Sequence, residues 1–423
     1  MPRPLPRWVT VLAALFVAAA AAVALGVWWT RPRPIRVGVL HSLSGTMAVS
    51  EVPVQQATLL AIEEVNASGG VLGRRVEAVR ADSASDGAVA LREAQRLIEQ
   101  EQIRALFGCW TSACRRSVRP AVERAHLPYF YPLQYEGLED SSYIVHCGAT
   151  PNQQILPAVD WAMEHLGKRV FLVGSDYIFP RIANQLIRDH LDVVHGQVAG
   201  EEYLPLGAVD VKAVVEKIAA AKPNAILSTI NGDTNAAFFR ELRAAGIASA
   251  QVPTISFSIA EAELQAAGAR DFAGDYAAWS YFQSLPGDAN RDFVERYRRR
   301  YGAGAVTDDP MEAAYVGVHL WAQAVAAAGT DEPEAVMAAV RAQAYPGPEG
   351  MVYVDPKTLH LWKTPRLGQI QPDGQFAVVW SDRQTPAAPF PLGRSKMGWA
   401  QLADGLYKGW GNAWSAPTAR APP

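Results

Sequence analysis

Residues 106–120 read LFGCWTSACRRSVRP. An apolar run, Leu106-Phe107-Gly108, stops at an aromatic and two hydroxyls, Trp110-Thr111-Ser112, and two arginines follow. A short buried strand that ends in capping-type residues and hands over to a helix is the β-α half of a parallel α/β unit. Hydroxyls at such a junction serve as a nucleophile, a helix cap or the wall of a ligand pocket, and the flanking sequence has to decide among them.

Upstream, IRVGVL (35–40) and VEAVRAD (76–82) read as strands, while 55–66 and 86–100 carry apolar residues at helical spacing. A strand at 103–108, a helix at 113–125 and the strand PYFYP (128–132) complete a β-α-β-α-β-α-β series. The alternation restarts after Ala149-Thr150-Pro151 with a helix at 152–166, then strands at 169–174, 197–204, 225–230 and 252–257 separated by helices at 180–191, 209–221 and 233–245. This pattern predicts an α/β fold of two doubly wound, Rossmann-like lobes. DYAAWSYF (275–282) adds a strand, and three helical patterns follow at 288–301, 310–328 and 331–343. GMVYVD (350–355) and RLGQIQPDGQFAVVW (366–380) read as β-structure, with Asp373-Gly374 as a hairpin turn. Beyond Trp380 the chain is rich in Pro, Gly and Trp without period, which predicts a surface tail docked through Trp399, Trp410 and Trp414.

The totals narrow the function. A chain of 423 residues is long enough for two cores, and a net charge of -3 speaks against a nucleic-acid binder. At the N-terminus, Arg3 and Arg7 precede an uncharged stretch from Trp8 to Thr30 that ends in Trp28-Trp29, followed by Arg31 and Arg33. The length and the interfacial tryptophans favour an uncleaved membrane anchor through residues 8–30; a cleaved signal peptide ending near Ala22-Val23-Ala24 is the rival. Either places residue 35 onward across the membrane from the cytoplasm, so the expected location is periplasmic or extracytoplasmic. The three cysteines are Cys109, Cys114 and Cys147. A Cys109–Cys114 bridge has to close across a strand-to-helix turn, a demanding geometry, so the favoured reading is small buried residues without a redox role.

In open α/β sheets ligands bind beyond the carboxyl ends of the strands. Those ends carry Ser44, Trp110-Thr111-Ser112, Tyr131, Gln134, Tyr177 and Asp233: hydroxyls, amides and aromatics with few charges. Enzyme signatures are missing. Ser112 lacks the glycines of a nucleophile elbow, no strand is followed by G-x-G-x-x-G or a Walker loop, and the eight histidines form no paired zinc-ligand spacing. Cys114 sits beside Arg115 and Arg116 without an identifiable orienting base. No cofactor, metal or catalytic residue is expected.

With these residues assembled, the sequence resembles the type I periplasmic substrate-binding proteins of ABC transporters, in the branch for urea and short-chain amides. The stretches that carry the resemblance include LHSLSGTMAVSE, EEVNASGGVLGRRVE, GCWTSACRRSV, YPLQYEGLE, PNQQ, GSDYIFPR, NGDTN, SIAEAE and WSYFQS, in order from about residue 35 to 385. The resemblance implies two lobes joined by three crossing segments, near 148–151, 276–283 and 345–350. It thereby divides the chain into an N-terminal lobe of 35–148 plus 283–345 and a C-terminal lobe of 149–282 plus 346–385, followed by a tail of 386–423. It implies ligand contacts from Trp110, Thr111, Ser112, Tyr131 and Tyr177, while Gln134 and the NGDTN loop that holds Asp233 follow the urea-like pattern. The function implied is capture of a small neutral ligand between closing lobes for delivery to ABC permease subunits. A membrane-tethered urea or amide sensor using the same cleft is the alternative. The anchor-like N-terminus and Cys114 depart from the usual pattern of the family.

Overall fold

The computed structural model describes residues 33–391 and 393–417, together with scattered positions among the first sixteen. The proposed anchor at 8–30 lies largely outside the described residues. Among those described, no helix is long and apolar enough to cross a membrane.

Two parallel sheets organise the chain. The first is built from β1 (Ile35–His41), β2 (Val76–Asp82), β3 (Leu106–Gly108), β4 (Tyr129–Tyr131) and β5 (Ile144–His146), in the order β2-β1-β3-β4-β5. Its connections are α1 (Ala48–Ala67), α2 (Gly87–Glu99) and α3 (Ser112–Arg124). Val37 and Val39 on one face and Gly38 and Leu40 on the other are buried, as a strand covered by helices on both faces requires. The order reverses at β1, so the loops after β1 and β3 diverge and leave a crevice at their carboxyl ends.

The second half begins with α4 (Ile155–His165), β6 (Arg169–Ser175), α5 (Ile178–Val193), β7 (Gln197–Leu204), α6 (Lys212–Ala221) and β8 (Ala225–Thr229). It continues through α7 (Thr234–Ala244), β9 (Thr254–Ser256), α8 (Glu261–Ala267) and β10 (Tyr276–Trp279). The chain then returns to the first half for α9 (Asp288–Tyr301), α10 (Asp309–Ala328), α11 (Pro333–Val340) and a hairpin of β11 (Ala344–Gly347) and β12 (Gly350–Tyr353). β13 (Arg366–Ile370) and β14 (Phe376–Ser381) finish the second sheet as an antiparallel pair, giving the order β14-β13-β10-β9-β8-β6-β7. Here the order reverses at β6, which places the loops after β6 and β8 at the second crevice.

The chain thus passes between the sheets three times. At the first pass Gly148 lies against the Leu133 carbonyl, where a Cβ would sit 2.1 Å from the oxygen, so only glycine fits. The third pass falls later than the sequence suggests. Val352, Val354, Leu359 and Leu361 are buried in the first core, and residues 359–361 hydrogen-bond with His146 at the edge of β5. The first lobe therefore extends through about residue 361 rather than ending at 345. The tail also holds a helix that its composition conceals, α12 (Lys396–Gly409), N-capped by Ser395 and docked on the second core through fully buried Trp399.

Candidate functional site

The loops at the two crevices face each other. On the first lobe, Glu51 of α1 fixes the loop after β1 by accepting from the Ser42 N–H at 3.0 Å and pairing with His41 Nδ1 at 3.2 Å. Ser42 Oγ then meets Ser83 Oγ, beyond β2, at 2.8 Å. After β3, Gly108 has a φ of 139° because β1 runs directly against it: a Cβ would stand 1.8 Å from the Leu40 oxygen. Thr111 caps α3, its Oγ1 accepting from the Cys114 N–H at 3.1 Å. Cys109 and Cys114 are joined in a disulfide that staples this loop, which corrects the reading of both as unpaired thiols; Cys147 is free and buried. The bridge forms because Cys109 adopts a left-handed φ of 58°, which brings it within a Cα separation of 5.7 Å of Cys114.

The residues singled out in the sequence take different positions. Thr111 and Tyr177 line a cavity of about 340 Å³ between the lobes, together with Ser42, Ser83 and Leu206. Trp110 spans the cleft: its indole N–H donates to Asn231 Oδ1 at 3.1 Å, while its carbonyl accepts from the Tyr131 hydroxyl at 2.5 Å. Gln134 also spans it, donating from Nε2 to the Phe257 carbonyl at 2.7 Å, and its buried Oε1 has no partner among the described residues. Thr46 donates to Asp233 across the cleft, beside a smaller hollow of about 150 Å³ that Asp233 helps to line. Ser44 is turned back onto Asp82, with an O–O distance of 2.8 Å, and so holds the loop rather than facing the cavity.

Ser112 and Tyr131 point into the first lobe. The Ser112 hydroxyl donates to Glu136 at 2.5 Å and accepts from Arg115 Nη1 at 3.0 Å, and the Arg115 guanidinium lies 4.6 Å from the centre of the Tyr131 ring. Arg115 and Arg116 face Glu136 and Glu139, so this cluster, buried except at the edge of Arg116, carries no net charge. Burial alone would raise the Glu139 carboxyl, but Arg115 and Arg116 bring it down to about 2. Burial likewise holds the Tyr131 and Tyr177 phenols above their usual range, so both are neutral donors at neutral pH. The cavity walls therefore offer uncharged hydroxyls. Among the described residues no lysine, arginine or histidine lines them, and the one carboxylate, Asp86, is engaged in capping α2.

Ser83 and Asn231 were not singled out as contacts, although both lie at strand ends where the same rule applies. The residues from Trp410 to Pro417, which also line the cavity, carried no such signal because nothing in an aperiodic tail says where it returns.

Comparison with known proteins agrees with the fold. The family model described as periplasmic binding protein domain matches residues 35–396. The Leu/Ile/Val-binding protein homolog 8 of Brucella abortus is 25% identical over 354 residues, 78% of this chain and 86% of that one. A Rhodopseudomonas palustris solute-binding protein of an ABC transporter, solved with 4-hydroxybenzoate, superposes with a TM-score of 0.75 at 24% identity, covering 84% of this chain and 98% of the other. A Geobacillus stearothermophilus protein named limonene hydroxylase is 33% identical over 123 residues, but the match takes in 29% of this chain and only 22% of that protein. The relatives that span most of the chain are named as binding proteins and not as enzymes. With two facing crevices, a hydroxyl-lined cavity between them and a family match across both lobes, the chain belongs to the periplasmic binding protein family, an extracytoplasmic family, and has the type I fold.

Proposed function

We propose that the cleft captures urea or a short-chain amide and hands it to the permease subunits of an ABC importer. The observation that carries this reading is the chemistry of the cavity, which has hydroxyls of Ser42, Ser83, Thr111 and Tyr177 on its walls and, among the described residues, no cation to meet a carboxylate. An amide presents N–H donors and one carbonyl, which such hydroxyls satisfy without any charge being buried. A free amino acid or a benzoate brings a carboxylate into a site with no basic residue among those described, which is costly unless backbone N–H groups compensate. Trp110 and Gln134 close the lobes around the guest, with motion about the three crossing segments.

Magnitude sets the expected affinity. Four heavy atoms at no more than about 1.5 kcal/mol each limit urea to about 6 kcal/mol, a dissociation constant of roughly tens of micromolar. Urea fills only part of about 340 Å³, leaving space for bridging water or for the methyl groups of a short amide. Calorimetry with urea, acetamide, leucine and 4-hydroxybenzoate tests the reading. Heat from urea or acetamide alone is the expected result; heat from leucine or 4-hydroxybenzoate alone overturns it.

A further inference from the structure

The cavity has a wall that belongs to neither sheet. Beyond β14 the chain returns along the cleft: Asn152 binds the Pro386 carbonyl and the Ala388 N–H at 3.0 and 2.8 Å, and the Leu138 N–H of the first lobe donates to the Pro389 carbonyl at 2.7 Å. α12 then packs on α5, with Arg394 paired to Asp189 at 2.5 Å and Trp399 buried. After α12 the chain doubles back beside the loop that holds Tyr177. The Ile178 N–H donates to the Trp414 carbonyl at 3.0 Å and the Ala416 N–H to the Asp176 carbonyl at 2.9 Å, so Ser415 pairs with Tyr177 as a short antiparallel bridge. Trp410, Ala413, Ser415, Ala416 and Pro417 thereby face Ser42, Ser83 and Thr111 across the cavity. On the other side of the cleft, the guanidinium of Arg116 in α3 lies 4.9 Å from the Trp414 ring centre.

We propose that Pro386–Pro417 is a clasp across the cleft and that Trp410–Pro417 is the third wall of the solute site, limiting which guests fit and how fast they leave. The inference rests on the cleft being the solute site. The asymmetry of the contacts says how it works. The helix, the buried tryptophan and two backbone hydrogen bonds tie the clasp to the second lobe. Its ties to the first lobe are fewer and more exposed: the Arg116–Trp414 stack, the Leu138–Pro389 hydrogen bond and the Lys396–Asp140 pair at 3.5 Å. When the lobes part, the clasp travels with the second lobe and these three first-lobe contacts break, opening the cavity at Trp410–Pro417.

Three full-chain variants test this. Trp414→Ala removes the stack and is expected to speed solute release about two- to fivefold, the range of one cation–π contact. Ala416→Pro removes the N–H that bonds Asp176 and is expected to act in the same direction. Ala413→Trp fills the cavity from the clasp side and is expected to abolish binding of whichever of urea, acetamide, leucine and 4-hydroxybenzoate the wild type takes, at an unchanged melting temperature. Hydrogen exchange without solute supplies a readout independent of the guest. The Ile178 amide is expected to be protected in the wild type and to lose protection in Trp414→Ala and Ala416→Pro. Wild-type binding by a folded Ala413→Trp, or an Ile178 amide that exchanges at open-chain rates in the wild type, overturns the proposal. If the wild type binds leucine or 4-hydroxybenzoate instead of the amides and Ala413→Trp loses it, the clasp stands and the amide reading falls. If none of the four solutes binds, the exchange pattern alone decides the clasp.

Discussion

Thr111 and Ser112 are neighbours with separate tasks. Thr111 caps α3 and borders the cavity, whereas the Ser112 hydroxyl is engaged twice inside the buried cluster of Arg115 and Glu136. Ser112→Ala should therefore act on stability, lowering it by about 1–3 kcal/mol because a buried charged cluster loses a partner. Tyr177→Phe should leave the melting temperature nearly unchanged and weaken urea binding several-fold, the effect of about 1 kcal/mol. Denaturation and calorimetry on both variants check this; the reverse assignment would move Ser112 back into the site. Behind the same cluster, His360 donates from Nδ1 to the Thr358 carbonyl at 2.7 Å, so its Nε2 accepts from the Tyr135 hydroxyl at 2.5 Å, and the ring stacks on His146. Burial lowers the His360 imidazole from 6.5 to about 4. Between those values the unfolded chain takes up a proton that the folded chain refuses, so the contribution is full above pH 6.5 and is lost as pH falls toward 4. The difference corresponds to about 3 kcal/mol. Urea-free denaturation curves, obtained with guanidinium at pH 7 and pH 4.5, should show His360→Asn losing less stability on acidification than the wild type does.

At the scale of elements, the Cys109–Cys114 bridge closes a loop of four residues that carries Trp110 and Thr111. The loop is held also by the Thr111 cap and the Tyr131–Trp110 bond, so reduction is expected to leave the fold intact but loosen the loop. Titration with urea in the presence of a phosphine reductant should give weaker binding, and a Cys109→Ala/Cys114→Ala variant should match the reduced wild type and be indifferent to the reductant. An unchanged affinity in both would reduce the bridge to a packing feature. The bridge also shows why local reasoning stopped short. The spacing of the two cysteines was visible, but the left-handed backbone at Cys109 that makes it closable arises from β1 pressing on Gly108, a long-range contact. Apolar periodicity located most strands and helices because each buries a face. It missed the first turns of α1, where Ser50 and Glu51 are buried polar residues that break the apolar pattern, and it missed α12, whose glycines and tryptophans read as coil. The three-residue strand β5 was too short to carry any period.

For the whole molecule, the two crevices meet because three chain passages hold the sheets face to face. Buried Lys363 lies just beyond the end of the first core, 2.9 Å from Glu349 and 3.5 Å from Glu312. Trp110–Asn231, Gln134–Phe257 and Thr46–Asp233 then join the lobes across the cleft. The general position of the cleft was legible in the β-α alternation, since ligand loops sit beyond the carboxyl ends of the strands in an open α/β sheet. The division of labour within it was not, because whether a hydroxyl meets the guest or a neighbour depends on side-chain packing across two lobes. The measurement that bears most directly on capture is the lobe separation in solution. Spin labels at Arg80→Cys and Val209→Cys, both exposed and on opposite lobes, allow it to be followed by pulsed electron paramagnetic resonance. The account predicts that urea or acetamide at about millimolar concentration, well above the expected dissociation constant, collapses the distance distribution to a single short value, while leucine and 4-hydroxybenzoate leave it broad. A distribution that ignores both amides, or that narrows only with the carboxylate-bearing solutes, would contradict it.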